Sequence, residues 1–200
     1  IEDVLCFNDC ISCNIVCNGY ESCRGLFIIS VAKYTSIVCN GYKSCDDAYV
    51  SIGNVDVAGD PPDFGLQYNE NELGSFHIDC IEKDSCRDTL IWINGSFSNG
   101  VIVATGHDGN PLSDALISID LQENQNFTLF CDGNSTSVCQ DTIVICELGN
   151  CHCVGQGCNQ LLGGEIWHSS EFIVVPPMTT LVPVNNLPTF FPTITPSITA

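Results

Sequence analysis

Positive charge is scarce in this 200-residue chain: 5 Lys and Arg stand against 24 Asp and Glu, a formal net charge of −19. Nucleic acids are bound through clustered Lys and Arg, so a nucleic-acid partner is excluded. Anionic membrane surfaces are disfavoured by the same repulsion. No apolar run approaches the roughly 20 residues needed to cross a bilayer as a helix, and no membrane span is expected. No amphipathic period marks a helix; Pro111 to Leu116 could supply one turn at most. The Gly-x-Ser-x-Gly elbow, the phosphate loop and the dinucleotide fingerprint are also missing. Apolar side chains, by contrast, are plentiful at 44%, so the acidity is not that of a disordered chain.

The second excess is cysteine, 15 residues, which points to an oxidising compartment. The chain opens at Ile1, which fits a secreted product after signal removal or a piece of a longer chain. Asn94-Gly95-Ser96, Asn126-Phe127-Thr128 and Asn134-Ser135-Thr136 are N-glycosylation sequons, and Asn8-Asp9-Cys10 is a rarer form. Cysteines and sequons together predict an extracellular, secreted protein carrying N-glycans at Asn94, Asn126 and Asn134.

The strongest signal is internal repetition. Ile15-Val16-Cys17-Asn18-Gly19-Tyr20-Glu21-Ser22-Cys23 is matched by Ile37-Val38-Cys39-Asn40-Gly41-Tyr42-Lys43-Ser44-Cys45. Looser copies run through Cys80 and Cys86 and through Cys131 and Cys139, and Cys153 to Cys158 reads as a degenerate fifth. Each copy is an apolar-x-Cys strand end, a short polar loop, a second Cys and another strand. Cys17 to Cys39 and Cys131 to Cys153 are each 22 residues apart. Cys39 to Cys80, 41 residues, reads as two periods, and Cys80 to Cys131, 51 residues, as two with an insertion. Val50, Ile52, Val55 and Val57 alternate with polar residues, as do Ile117, Ile119 and Leu121, with glycines at the expected corners. Such short strands on a period near 20 residues predict an all-β, right-handed parallel β-solenoid of six to eight coils.

Adjacent coils lie about 4.8 Å apart, within the Cα span of a disulfide. Bridges between coils and bridges closing one loop are both feasible, and spacing does not choose between them. The local pairs Cys17–Cys23, Cys39–Cys45, Cys80–Cys86 and Cys131–Cys139 are the default, and the odd count leaves at least one thiol free or intermolecular. Asp47, Asp88 and Asp141 recur after the second cysteine, where a corner residue accepting backbone N–H groups is expected.

Residues 1–17, with Cys6, Cys10, Cys13 and Cys17, read as a cysteine-rich cap, 18–172 as the solenoid and 173–200 as an extended tail. The tail holds six of the nine prolines and no charged side chain. Thr179, Thr180, Thr189, Thr193, Thr195, Ser197 and Thr199 are its O-glycosylation candidates. Leu181, Val184, Leu187, Phe190, Phe191, Ile194 and Ile198 make it unlike a solvated linker. An extended apolar segment can add to a second copy, and a head-to-tail contact that does not close builds a filament, so a homopolymer is expected.

The loops Cys17 to Cys23 and Cys39 to Cys45 resemble the Cys-x-Gly-x-x-Ser-Cys repeats of secreted cysteine-rich proteins of stramenopile algae and water moulds. The whole resembles glycosylated extracellular fibril proteins of aquatic microbes. That resemblance implies a cell-surface or fibrillar role and supplies no catalytic residues. No enzyme activity is expected: a polysaccharide-cutting β-helix holds its anionic substrate with positive charge, and only Arg24, Lys33, Lys43, Lys83 and Arg87 are present. Gly106-His107-Asp108-Gly109 reads as a turn, and Cys151-His152-Cys153 as disulfide packing. No cofactor is expected, and Ca²⁺ is the one ion an acidic surface leaves open. The alternative is a carbohydrate-binding adhesin, with Tyr20 and Tyr42 offered for stacking.

Overall fold

The structure, a computed structural model, describes residues 3–6, 10–53, 74–106, 109–123, 125–133, 137–162 and 166–168. The tail residues, Asn134, His107, Asp108, Val55 and Val57 lie outside the described residues. Among the described residues, thirteen strands alternate between two parallel sheets. The odd sheet contains β1 (Val4–Cys6), β3 (Phe27–Ser30), β5 (Tyr49–Gly53), β7 (Leu90–Gly95), β9 (Leu116–Leu121), β11 (Ile143–Leu148) and β13 (Trp167–His168), neighbours in that order. The even sheet contains β2 (Ser12–Asn18), β4 (Tyr34–Asn40), β6 (Gly74–Cys80), β8 (Phe97–Ala104), β10 (Asn126–Cys131) and β12 (Asn150–Val154), also in sequence order. Every strand pairs with the strand two places along the chain, which is the signature of a β-solenoid. A short 3-10 helix, Gln156–Gln160, closes the last loop.

Alternation decides which face is inside. Side chains in register stack into ladders through the core: Ile15, Ile37, Ile78, Ile102 and Leu129 on the even sheet, and Ile28, Val50, Ile91, Ile117 and Val144 on the odd sheet. Stacking identical or similar branched side chains gives each coil the same interior width, so one coil templates the next. In the next ladder, the Phe76 ring lies over Gly100, where a Cβ would stand 2.2 Å from it. That ring meets Phe97 edge-on at 5.2 Å and Phe127 at 6.3 Å.

The loops that follow even strands also stack, through backbone hydrogen bonds between coils. Cys23 N–H donates to Ser44, Cys45 to Ser85, Cys86 to Pro111 and Leu112 to Val138, at 2.6–3.1 Å. This register corrects two expectations. First, Cys39 pairs directly with Cys80, so their 41-residue separation is one coil carrying an insertion between β5 and β6, not two coils. Second, Cys153 pairs with Leu129 rather than Cys131, so that 22-residue spacing is not the coil period. The six even strands are separated by five coil-to-coil steps, and the odd strands by six. β1 and all of β2 but Asn18 fall within residues 1–17, and both pair in register as the first strands of the solenoid.

Candidate functional site

Seven disulfides run the length of the stack. Cys17–Cys23, Cys39–Cys45, Cys80–Cys86 and Cys131–Cys139 each close one loop. Cys6–Cys13 ties the first coil, while Cys146–Cys151 and Cys153–Cys158 tie the last. All seven bridges are local, with partners 5 to 8 positions apart in sequence. Cys10 is the one free thiol among the described residues, and it is exposed. One coil has no bridge. Ala104 takes the register of the first cysteine and Leu112 that of the second, both at 0% exposure. Sequence reasoning passed over this pair because nothing in it resembles Cys-x5-Cys; a 51-residue gap between cysteines was the only signal.

Beside the second cysteine, the loop stack holds an alternating ion ladder. Arg24, Asp46 and Arg87 occupy one position in three successive coils. The Asp46 carboxylate has no exposed surface, with Arg24 Nε at 3.3 Å and Arg87 Nε at 3.1 Å. Burial pushes its carboxyl above the ordinary aspartate range, against the pull of Arg87. Arg24, held by a hydrogen bond to Asp47, has its guanidinium pKa raised. The oxygens of Asp46, Asp47 and Asp88 lie within 4.8 Å of one another, the one carboxylate group with cation-binding spacing among the described residues. Two guanidinium groups already stand among them. The sulfurs of Cys131, Cys153 and Cys158 are equally close, and all three are in disulfides. Cys151 and Cys153, flanking His152, are likewise bridged to Cys146 and Cys158.

The recurrent aspartates sit at a corner for a conformational reason. Asp47, Asp88, Asp114 and Asp141 have φ between 53° and 59°, and Gly25 occupies the same register at 65°. Aspartate tolerates this left-handed region better than most residues, and glycine has no penalty there. Arg24, Arg87 and Gln140 side chains bond the carboxylates of Asp47, Asp88 and Asp141. The expected partners were backbone N–H groups.

Each sheet presents one outer face. On the odd sheet, one outward column runs Phe27, Tyr49, Leu90, Leu116, Ile143. The next contains Leu5, Ile29, Ser51, Trp92, Ser118 and Ile145. Leu5, Phe27 and Trp92 are 46–47% exposed, and Phe27 and Tyr49 lie 5.6 Å apart. Neither column contains a charged side chain from β3 to β11, although the chain carries −19. The even face is mixed: one outward column contains Asn14, Ser36, His77, Val101 and Thr128, and the next contains Val16, Val38, Asp79, Val103, Phe130 and Val154. A shallow groove of about 250 Å³ is lined by Asn14, Tyr34, Ser36, Ser75, His77 and Asn99, among others. His77 has a partner that sequence reasoning missed: its Nε2 is 2.7 Å from Asp79, two residues along the same strand face.

Asn126 is exposed at the start of β10, where its side-chain carbonyl accepts a hydrogen bond from Asn150 Nδ2 at 3.4 Å. Asn94 is partly buried at the end of β7. Tyr20 and Tyr42 stack at 5.6 Å on neighbouring loops, with the Lys43 ammonium 5.4 Å from the Tyr42 ring. Together these features define the class: a disulfide-rich parallel β-solenoid, of the kind that suits an oxidising compartment. Within the described residues no helix is long and apolar enough to cross a membrane. Comparison of the chain with known protein families, with characterised proteins and with solved structures gives no match.

Proposed function

We propose that the chain is a structural subunit of a glycosylated extracellular fibril, joined head to tail through its C-terminal segment. The observation that carries this reading is the paired coil stack itself. It repeats one cross-section along a single axis, is fastened at both ends by disulfides, and begins and ends on outer strands rather than closing on itself. A contact between unlike ends of such an object generates a filament. The resemblance of the Cys17 and Cys39 loops to repeats of secreted cysteine-rich proteins supports the same reading. Local bridges supply rigidity, while glycans and net negative charge keep the flanks hydrated and oppose lateral clumping. Negative-stain microscopy of the native secreted material tests it. Thin filaments are expected from the full chain and dispersed particles after deletion of residues 176–200; assembly that survives the deletion defeats the tail's role.

A second reading, a carbohydrate-binding adhesin, is favoured by the even-face groove. Its amide and hydroxyl groups beside the Tyr34 ring have the chemistry of a neutral-sugar site. Saccharide-array binding by dispersed single chains, with loss on Tyr34→Ala, is its test.

A further inference from the structure

The tyrosines of the two matched loops stand in one register on successive coils. Tyr20 is 69% exposed and Tyr42 39% exposed, and their rings stack with centroids 5.6 Å apart and planes 30° from parallel. We propose that these two side chains are joined to each other as a dityrosine by oxidative coupling, which ties the first two coils together covalently. The proposal goes beyond the fibril reading and holds whether copies assemble or stay single.

Three observations lead there. The first is that the backbone presents the two rings to each other at a fixed separation. β2 pairs with β4 as far as Asn18 and Asn40. Beyond the strands, Gly19 N–H donates to the Asn40 carbonyl at 3.0 Å and Glu21 N–H to the Tyr42 carbonyl at 3.1 Å. Each loop is closed by its own bridge, Cys17–Cys23 or Cys39–Cys45. Gly41 permits the close approach, since a Cβ there would stand 2.4 Å from the Gly19 carbonyl oxygen. Two reacting groups held side by side in this way react as one molecule rather than as two. Their exposed edges leave room for the rings to slide from stacked to edge-linked.

The second is selectivity. Among the described residues, the other tyrosines are Tyr34 and Tyr49. The Tyr49 ring meets Phe27, and the Tyr34 ring lies beside the Lys33 ammonium. Only Tyr20 and Tyr42 stack on a second phenol. The third is what the disulfides leave undone. None of the seven joins a residue to the equivalent position of the next coil. A Tyr20–Tyr42 bond closes the chain between positions one coil apart, and so removes unfolded-state freedom that the local bridges do not touch.

The chemistry needs an oxidant, and the proposal names it as hydrogen peroxide turned over by a peroxidase-type catalyst. Each phenol loses one electron and its hydroxyl proton. The two radicals join through one Cε of each ring, and the hydrogen on each of those carbons moves back to the phenol oxygen. The net change is one new Cε–Cε bond and the loss of two electrons and two protons, which reduce one hydrogen peroxide to two waters.

Mass spectrometry of the native secreted chain, digested after full reduction of its disulfides, tests this. A Tyr20 peptide joined to a Tyr42 peptide is expected, lighter than their sum by two hydrogen atoms and carrying dityrosine fluorescence. Unmodified tyrosine at both positions overturns the proposal. In parallel, an equal mixture of light and heavy-isotope full chain is treated with hydrogen peroxide and a peroxidase. Coupling of Tyr20 to Tyr42 within one chain is expected, and a light-to-heavy product at these positions overturns it. Tyr42→Phe, which keeps the ring stack, is expected to abolish the coupled peptide, and Tyr34→Phe to leave it unchanged. By urea titration, oxidation is expected to raise the folded-to-unfolded ratio of the native chain at least about tenfold and that of Tyr42→Phe not at all. An equal gain in both proteins overturns the tie between coils.

Discussion

At the scale of single residues, the positions that matter most to the fold are those that complete a ladder. Leu112 stands where other coils place a disulfide sulfur, and it has no exposed surface. Its truncation leaves a cavity that the stacked loops above and below, fixed by hydrogen bonds, cannot collapse into. Leu112→Ala is expected to cost about 3 kcal/mol in denaturant unfolding under oxidising conditions. A loss below about 1 kcal/mol would mean that the disulfides of neighbouring coils carry this layer without it. Asp46 makes a different prediction, because burial raises its carboxyl pKa in the folded state. Its contribution is fully present below the ordinary carboxylate value and is lost as pH rises through the folded-state value. Asp46→Asn is therefore expected to gain stability relative to the native protein between pH 3 and pH 7, measured by paired thermal melts. A relative loss over that range would show that Arg24 and Arg87 outweigh burial.

At the scale of the coil, the left-handed corner is a requirement imposed on backbone rather than on chemistry. Asp114, with φ of 54°, belongs to the bridgeless coil and is itself exposed. Asp114→Gly is expected to be neutral or slightly stabilising, and Asp114→Val to destabilise by about 1–2 kcal/mol, by urea titration. Equal effects of the two substitutions would place the aspartate's role in its carboxylate. Coils were legible in the sequence where two signals coincided, as in the Cys17 and Cys39 copies, whose cysteines and alternating apolar residues share one register. They were illegible where one signal was missing. The bridgeless coil hid behind Ala104 and Leu112, and the insertion before β6 made one coil imitate two. In the other direction, the Cys131–Cys153 spacing imitated a period because the last coil places its cysteine two residues early in the ladder.

The surfaces were less legible than the core for the same reason. In β7, Leu90, Ile91, Trp92 and Ile93 form one apolar run, and only strand pairing shows that Leu90 and Trp92 face out. The His77–Asp79 pair required only the alternation of a strand, once that strand was located. At the scale of the whole molecule, the proposed fibril stacks copies along the solenoid axis and extends both sheets end to end. The measurement that tests it most directly is diffraction from aligned secreted material, or the power spectrum of its electron micrographs. Axial stacking predicts a meridional reflection near 4.8 Å, with strands perpendicular to the fibre, and an axial subunit repeat of about 30–35 Å, the height of one solenoid. Filaments whose 4.8 Å reflection lies off the meridian, or material that stays as single particles, would contradict it.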